Sequence, residues 1–302
     1  MYDAIIIGAG PAGLAAAIYL ARQKIKFLVL TTNIGGQTLL SWDVENYLGF
    51  HLLDGTELVK KFQEHLKDYQ GQFELRENEP VEKIEKSEAG FKIATATGSY
   101  ESKAVLIATG TIHRKLKVPG EQEFYGKGLT YCATCDAPLF KDKNVYVVGG
   151  GNSAMYAALF LEKYAKQITL VTINKELMGD AMVKSKILGS DRIKILYETK
   201  TTGIMGEKFV NAIGLADVNG KERNEETQGV FVEIGVVPVS GFIDFVEKDK
   251  WGQVVVDKQG AASFQGIFAA GDVTDIPGKQ IAIAVGEGSK AALSMIRFLD
   301  SK

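Results

Sequence analysis

Cysteine, histidine and an excess of charge of either sign are all scarce in this sequence of 302 residues. Its two cysteines are too few for the disulfide framework of a small secreted domain. The three histidines, His51, His65 and His113, show no spacing typical of metal ligands, so we predict no metal site. A net charge of -2 provides no basic excess to neutralise phosphates, and we expect neither nucleic acid nor an anionic membrane as a partner.

Long apolar runs are also missing. No stretch approaches the roughly 18 apolar residues that indicate a membrane-spanning helix, and residues 1–4 lack the basic start of a signal peptide. We therefore expect a cytoplasmic protein. With 46% hydrophobic and 24% charged residues, the composition is typical of a globular chain long enough for two domains.

The N-terminal segment carries a dinucleotide-binding pattern. Residues 2–7 are predicted to form a buried strand, 14–22 a helix and 26–30 a second strand, with a glycine-rich turn at 8–13. Gly8 permits the tight turn, Gly10 lets the backbone approach a pyrophosphate, and Gly13 allows close packing of helix on strand. The alternative is a glycine turn with no ligand.

The same arrangement recurs in the middle of the chain. A strand is predicted at 144–148, a glycine turn at 149–154, a helix at 155–163 and a strand at 167–171. Two copies, each in the strand–turn–helix–strand context, indicate two dinucleotide-binding folds.

The segments around the second copy indicate how the folds are connected. Short strands are predicted within 72–97, buried strands at 104–110 and 266–272, and a long helix from about 282 to 299. The strand ending on Gly271-Asp272 completes the first fold only if the chain returns to it. We therefore predict an α/β fold class with two Rossmann-like, doubly wound, three-layer domains, the second inserted in the first.

The two cysteines, Cys132 and Cys135, form a Cys-x-x-Cys pair. By spacing alone the pair is either a redox dithiol or two unrelated buried thiols.

Taken in order, these segments resemble the low-molecular-weight thioredoxin reductase family over essentially the whole chain. The matching segments are 8–13, 35–37, 44–47, 108–110, 132–136, 149–154, 269–273 and 279–282. The resemblance implies an FAD-binding domain of residues 1–113 and 241–302. It also implies an inserted pyridine-nucleotide-type domain of residues 114–240 that carries the cysteine pair, and a homodimer.

The resemblance also implies roles for individual residues. The expected FAD-binding residues are Gly8, Gly10, Pro11, Ala12, Gly13, Gly36, Gln37, Asn46, Thr109, Gly110, Gly271, Asp272, Gln280 and Ile281. Within this set, residues 10–13 hold the pyrophosphate, Asp272 bonds the ribityl chain, and Gln280 and Ile281 meet the pyrimidine end of the flavin. A simpler interpretation of Asn46 is a turn residue.

The implied catalytic residues are Cys132, Cys135 and Asp136. Cys135 faces the flavin, Cys132 attacks a protein disulfide, and Asp136 manages the thiol protons. A simpler interpretation of Asp136 is a carboxylate at a helix start. The implied function is transfer of electrons through FAD and the dithiol to thioredoxin, with a rotation between domains. A glutaredoxin-like or peroxiredoxin-reducing partner, and a non-enzymatic FAD-binding redox sensor, remain alternatives.

The sequence departs from the family at the second dinucleotide fold. NADPH-dependent members carry His-Arg-Arg after the second strand, whereas residues 171–177 here read Val-Thr-Ile-Asn-Lys-Glu-Leu. A single Lys175 substitutes poorly for a bidentate arginine on a phosphate, and Thr172 stands where an NADH enzyme places an acid. Because related flavoproteins take electrons from ferredoxin, we predict reduced ferredoxin as the electron donor, with NADPH or NADH as alternatives.

Overall fold

A computed structural model of the chain describes residues 1–41, 44 and 46–301, and it divides into two compact units. The discontinuous unit comprises Met1–Ile112 and Val237–Lys302, and the inserted unit comprises His113–Val236. The sequence places the second crossing after residue 240, whereas the units divide after Val236. Both crossings lie on two short segments, Thr111–His113 and Val236–Pro238, that pair as a two-stranded sheet.

The helices and strands alternate along most of the chain. In order they are β1 Tyr2–Ala9, α1 Pro11–Arg22, β2 Phe27–Ile34, α2 Gly55–Lys67, β3 Glu74–Arg76, β4 Val81–Ser87, β5 Gly90–Thr95, β6 Gly98–Ile107, β7 Thr111–His113, β8 Leu129–Thr130, α3 Ala133–Asp136, β9 Asn144–Val148, α4 Asn152–Leu161, β10 Gln167–Val171, α5 Ala181–Leu188, β11 Ile193–Leu196, β12 Lys200–Gly206, β13 Val210–Ala216, β14 Glu222–Glu226, β15 Gly229–Val232, β16 Val236–Pro238, β17 Ile267–Ala269 and α6 Ile281–Asp300. Two 3-10 helices, Gly36–Leu40 and Ala137–Phe140, complete the set.

The discontinuous unit is built on a seven-stranded sheet in the order β3-β2-β1-β6-β5-β4, with β17 added on β6. β1 pairs in parallel with β2 and β6, and its residues from Ala4 to Ile6 are fully buried. Strands buried on both faces are typical of parallel sheets, which explains the unbroken apolar run that opens the sequence. The long β6 pairs with β5 near its start and with β17 near its end.

Two helices, α1 and α6, pack against each other on this sheet. Small residues permit the close approach, since a Cβ on Gly288 would collide with the carbonyl oxygen of Ala12. The buried alanines of both helices belong to one apolar core with Ile6, Leu106 and Phe268. The last helix therefore returns to the first one, as the insertion hypothesis requires.

The inserted unit has a five-stranded parallel sheet in the order β11-β10-β9-β15-β8. A separate three-stranded antiparallel sheet, β12-β13-β14, comes between β11 and β15 in the order of the chain. The strand–turn–helix–strand units of both sheets confirm the predicted α/β class with two Rossmann-like folds.

Several predicted boundaries were wrong by a few residues. α1 begins at Pro11, not at residue 14, because proline suits the first turn of a helix, where its missing N–H is not needed. β6 ends at Ile107 because Gly110, with a φ of 67°, turns the chain. None of the described helices is long and apolar enough to cross a bilayer.

Candidate active site

The first glycine turn forms an open cradle at the start of α1. Gly10 is the N-cap residue of the helix, no side chain caps it, and a Cβ on Gly10 would meet nothing within 4 Å. By contrast, a Cβ on Gly13 would collide with the carbonyl oxygen of Gly8. Gly13 therefore serves the packing of the helix, whereas Gly10 leaves room for a ligand beside free N–H groups. Such a helix start is suited to a pyrophosphate.

A second glycine lies across this cradle. A Cβ on Gly36 would be 3.4 Å from the Cα of Gly10, and the backbone of Gly36 has a φ of 56°. The Gly36 N–H donates to Asn33 Oδ1 at 2.9 Å, and the Gly35 N–H donates to the carbonyl oxygen of Ala9 at 2.7 Å. These bonds hold the loop after β2 beside the end of β1.

Gln37 is held by the segment that follows β6. Its Nε2 donates to both the carbonyl oxygen and the Oγ1 of Thr111, at 2.7 and 2.9 Å. Both amide hydrogens are then engaged, so a ligand beside Gln37 meets its Oε1 as an acceptor. Nearby, Thr109 Oγ1 donates to the carbonyl oxygen of Val239 at 2.6 Å. The Val239 N–H donates to the carbonyl oxygen of Gly110 at 3.0 Å.

Asn46 and Gln280 are brought together from distant parts of the chain. Asn46 Nδ2 donates to Gln280 Oε1 at 3.0 Å across a sequence separation of 234 residues. Gln280 is the N-cap residue of α6 but its side chain does not cap the helix, which starts at Ile281. The side chain is therefore turned toward Asn46. Glu45, in the same sequence motif, lies outside the described residues.

Asp272 follows the short strand β17, at the start of a turn. Burial raises its pKa, Lys279 lowers it in part, and Glu287 raises it further. The Gly271 N–H donates to Glu287 Oε2 at 2.8 Å, so this buried glutamate of α6 anchors the turn that presents Asp272. Sequence reasoning missed Glu287; the only signal was a charged residue between two glycines in an alanine-rich helix.

These features of the discontinuous unit fit an elongated dinucleotide such as FAD. An uncapped helix start with open space at Gly10 suits the pyrophosphate, and a second uncapped helix start lies at Gln280. Asp272 offers a carboxylate, a group that suits the hydroxyl groups of such a ligand. Every predicted FAD-binding residue belongs to this unit.

In the inserted unit, Cys132 and Cys135 form a disulfide. Cys132 is the N-cap residue of the short helix α3, and its Sγ accepts the Cys135 N–H at 3.3 Å. The two cysteines are therefore not separate buried thiols. Pro138 falls in the first turn of the following 3-10 helix, as expected for a residue without an N–H.

Asp136 is buried and connects to the cysteines through a threonine. The hydroxyl of Thr130 donates to Asp136 Oδ2, and the same hydroxyl oxygen accepts the Cys132 N–H at 3.1 Å. Burial, and secondly the charge of Asp136, raise the pKa of the neighbouring Tyr125. Sequence reasoning missed Thr130, because a threonine at the end of a strand is too common to be a signal.

The segment that follows β10, beside the second glycine turn, contains no arginine in residues 172–177. Thr172 is buried after β10, and its Oγ1 accepts the Asn174 N–H at 3.2 Å. A Cβ on Gly150 would collide with this same hydroxyl. Ile173 is 72% exposed, and Lys175, with a side chain that is 86% exposed, lies 4.0 Å from Glu198. The lysine that follows this strand is exposed, and its contact with the Glu198 carboxylate is long.

Residues 2–288 match the model of one protein family, described as pyridine nucleotide-disulphide oxidoreductase. The chain belongs to this family. Membership of this family implies FAD as the cofactor. The chain thus combines a likeness to thioredoxin reductases with a disulfide between Cys132 and Cys135.

Known members of the family cover the chain fully. A thioredoxin reductase of Treponema pallidum is 36% identical over 99% of this chain and 98% of its own length. The crystal structure of a Streptococcus pyogenes thioredoxin reductase has a TM-score of 0.90 at 35% identity, covering 100% of this chain and 99% of that one. These similarities confirm the resemblance to thioredoxin reductases.

Two further relatives differ in their names. A ferredoxin-flavin thioredoxin reductase of Clostridium acetobutylicum is 33% identical with a TM-score of 0.55, covering 100% and 99% of the two chains. An NADH dehydrogenase of Bacillus subtilis is 37% identical over 99% of this chain. The chain spans only 58% of that protein's length.

Proposed function

We propose that this protein is a thioredoxin reductase in which electrons pass from reduced ferredoxin through FAD and the Cys132–Cys135 pair to a thioredoxin-type disulfide. The observation that carries the proposal is a disulfide at the start of α3 in a chain that also has a flavin cradle. We further propose that the protein acts as a homodimer in the cytoplasm, where thiols are kept reduced.

The residues of the discontinuous unit hold and orient the flavin. Residues 10–13 and Gly36 accept the pyrophosphate, Gly8, Thr109, Gly110 and Gly271 shape the backbone around it, and Asp272 bonds the ribityl hydroxyls. Gln37 and Asn46 line the site, and Gln280 and Ile281 present the start of α6 to the ring. Bound FAD supplies electron pairs to the disulfide.

The residues of the inserted unit carry out the exchange with protein. Cys135 accepts the electrons, and Cys132 is the sulfur that attacks the substrate disulfide. Attack by one thiolate releases a substrate thiolate, and Asp136, linked to the Cys132 amide through Thr130, supplies or removes its proton. The N-cap position of Cys132 supports a thiolate there, because its sulfur accepts the Cys135 N–H.

Thioredoxin is the proposed substrate because full-length relatives carry that name in both sequence and structure comparisons. A glutaredoxin-like or peroxiredoxin-reducing partner is the second candidate. It is favoured by the similarity to an alkyl hydroperoxide reductase component of Pseudomonas putida, which is 38% identical over 97% of this chain although it is a longer protein.

Reduced ferredoxin is proposed as the electron donor because the second glycine turn lacks a nucleotide discriminator. No arginine follows β10 within residues 172–177, Thr172 is engaged internally, and Lys175 is a single exposed lysine. A relative whose name includes ferredoxin spans the same length. NADPH or NADH remains the alternative, supported by the intact glycine turn at 149–151 and by the name of the NADH dehydrogenase relative.

The test is anaerobic mixing of the yellow, FAD-loaded protein with reduced ferredoxin, NADPH or NADH while the flavin absorbance is followed. We expect rapid bleaching by ferredoxin and none by either nucleotide at micromolar concentration. Rapid bleaching by NADPH or NADH would replace the proposed donor. A protein that binds no flavin would refute the whole proposal.

A matched variant separates the donor half of the reaction from the acceptor half. Cys132→Ser should bind FAD and be bleached by ferredoxin as the unchanged protein is, but it should reduce neither thioredoxin nor any other protein disulfide. Retention of thioredoxin reduction in this variant is incompatible with the assigned role of Cys132.

A further inference from the structure

The turn between β17 and α6 is closed by a lysine of its own. The ammonium group of Lys279 donates to the carbonyl oxygen of Thr274 at 2.6 Å and to that of Ile276 at 2.7 Å. Two of its three N–H groups are thereby engaged by the turn itself. Lys279 is half-buried and directly precedes Gln280, the N-cap residue of α6. The side chain thus folds back on the turn instead of extending into solvent.

Thr274 connects this lysine with the other end of the turn. Thr274 is fully buried, and its hydroxyl donates to the carbonyl oxygen of Gly271 at 2.8 Å. The Gly271 N–H donates to Glu287 Oε2 at 2.8 Å, and the same carboxylate oxygen lies 3.5 Å from Thr274 Oγ1. A chain of contacts therefore runs from the buried glutamate of α6 to the lysine at the opposite end of the turn.

These contacts hold the two positions of the turn that are expected to meet the flavin. Asp272 directly follows Gly271, and Gln280 directly follows Lys279. The backbone at the two positions is coupled, because the ammonium group holds the segment between them closed. Without that group, two carbonyl oxygens lose this donor, and the turn gains conformational freedom that FAD binding would have to remove.

The charge of Lys279 lies among carboxylates, although both hydrogen-bond partners of its ammonium group are neutral carbonyl oxygens. Burial lowers the pKa of Lys279, and four carboxylates act in the opposite direction: Asp272, Glu287, Asp275 and Asp249. Burial raises the pKa of Asp272, and Lys279 lowers it in part. A neutral side chain in place of Lys279 would therefore leave the turn with an excess of negative charge.

We propose that Lys279 is a positioning residue for FAD, which closes the turn between Asp272 and Gln280 and supplies a positive charge there that favours the reduced flavin. Reduction by two electrons and one proton adds one negative charge to the flavin, and a cation stabilises the more negative form. Lys279 itself neither gains nor loses a bond or a proton in this role. The inference rests on the proposed function only in taking FAD as the ligand of the discontinuous unit.

The test compares FAD affinity and flavin reduction potential. Apoprotein is titrated with FAD while the flavin fluorescence is followed, and the FAD-loaded protein is reduced stepwise with dithionite beside a reference dye. Lys279→Met removes both the donors and the charge, whereas Lys279→Arg retains both. The matched control is Lys290→Met on α6, at a position that is also half-buried.

We expect Lys279→Met to raise the dissociation constant of FAD about tenfold or more. The equilibrium constant for reduction of its bound flavin should fall about tenfold, which corresponds to about 30 mV for a two-electron couple. Lys279→Arg should restore both quantities, and Lys290→Met should leave both unchanged. A flavin potential of Lys279→Met equal to that of the control would overturn the proposal, and so would a failure of arginine to restore it.

A second variant covers the case in which Lys279→Met loses FAD or folds poorly. Lys279→Gln keeps two N–H donors for the carbonyl oxygens but carries no charge. We expect it to bind FAD and to show the lowered potential, and an unchanged potential in this variant contradicts the role of the charge. These measurements need neither ferredoxin nor thioredoxin, so their failure is distinct from failure of the proposed function.

Discussion

At the scale of single residues, the chemistry depends on short chains of hydrogen bonds that connect functional groups to the backbone. Thr130 is an example, because one hydroxyl accepts the Cys132 N–H and donates to Asp136. Glu79 is another: its Oε1 accepts the hydroxyls of Thr95, Thr97 and Tyr100 at 2.8, 2.6 and 2.7 Å. In both, a buried carboxylate accepts hydrogen bonds from hydroxyl groups.

Replacing Thr130 by valine removes the hydroxyl while nearly preserving the shape. We expect the free energy of unfolding to fall by about 1 to 3 kcal/mol, because a buried carboxylate loses a donor and the Cys132 amide loses its acceptor. Turnover with a protein disulfide should fall as well. Urea denaturation and steady-state kinetics measure both effects, and Thr130→Ser, which restores the hydroxyl, should recover both. Equal behaviour of the serine and valine variants would show that the hydroxyl is unimportant.

The ionisation of Glu79 should make the free energy of unfolding depend on pH. Burial alone would raise its pKa, but hydrogen bonds from Thr97, Tyr100 and Thr95 outweigh it and lower the pKa. A carboxylate whose pKa is lower in the folded protein stabilises the fold at pH values above its unfolded pKa of 4.5. This stabilisation is lost as the pH falls through the pKa of the folded protein.

Glu79→Gln should therefore be less stable than the unchanged protein by about 1 to 3 kcal/mol at pH 7, with the difference shrinking below pH 4.5. Chemical denaturation at several pH values measures the difference. The control Glu82→Gln lies on the exposed side of β4 and should show no such trend. A difference that does not vary with pH would contradict the assigned ionisation.

At the scale of elements, the start of α1 and the flank of α6 are shaped together. α6 approaches α1 at Gly288, opposite the Ala12 carbonyl, and a Cβ on Gly271 would lie 3.1 Å from the Cβ of Ala12. Ala12 thus lies beside Gly271, which precedes Asp272, and beside Gly288, which follows Gln280. The cradle for the pyrophosphate and the segment that presents the flavin residues depend on one helix–helix contact.

Gly288→Ala tests that contact. The new methyl group would collide with the backbone of Ala12, which cannot move without shifting α1, so we expect a loss of about 2 to 4 kcal/mol and weaker FAD retention. Gly286→Ala on the same helix has no atom within 4 Å of its added Cβ. This control should be neutral or up to about 1 kcal/mol more stable. Chemical denaturation measures the stability of both variants, and the flavin content after gel filtration measures their FAD retention. Equal results for the two variants would refute the role of the contact between α1 and α6.

At the scale of the whole molecule, the residues of the two proposed tasks lie in two separate compact units. Every proposed FAD-binding residue lies in the discontinuous unit, and both cysteines and Asp136 lie in the inserted unit. Each unit has its own apolar cores, so each buries enough surface to be a folding unit.

Removal of FAD should therefore affect the units unequally. A ligand present at about 100 times its dissociation constant stabilises the state that binds it by about 2.7 kcal/mol, so amide hydrogens around 8–36 and 269–288 should exchange faster in the apoprotein. Amides of β9 and β10 in the inserted unit should exchange at nearly unchanged rates. Hydrogen–deuterium exchange with mass spectrometry measures both, and equal loss of protection in the two units would contradict this division.

Local patterns were sufficient to predict the glycine turns, the strands that precede them and the cysteine pair. Gly8, Gly10 and Gly13 act through backbone geometry within one turn, and the buried strands reveal themselves through continuous apolar runs, so neighbours in sequence carry the information. The α/β class and the insertion followed from the order of these segments. The exact starts of helices did not, because Pro11 and Asn152 favour both turns and first helical positions.

What the sequence by itself determined is therefore the family, the two folds, and the places of the glycine turns and of the cysteine pair. Only the tertiary structure decided that Thr111 occupies the amide of Gln37, that Glu287 anchors Gly271, and that Thr130 connects Asp136 to the Cys132 amide. Partners such as Gln37 and Thr111, 74 residues apart, meet because parallel strands end at one edge of a sheet. No local pattern records which side chains meet at that edge, since the meeting depends on the packing of every strand between them.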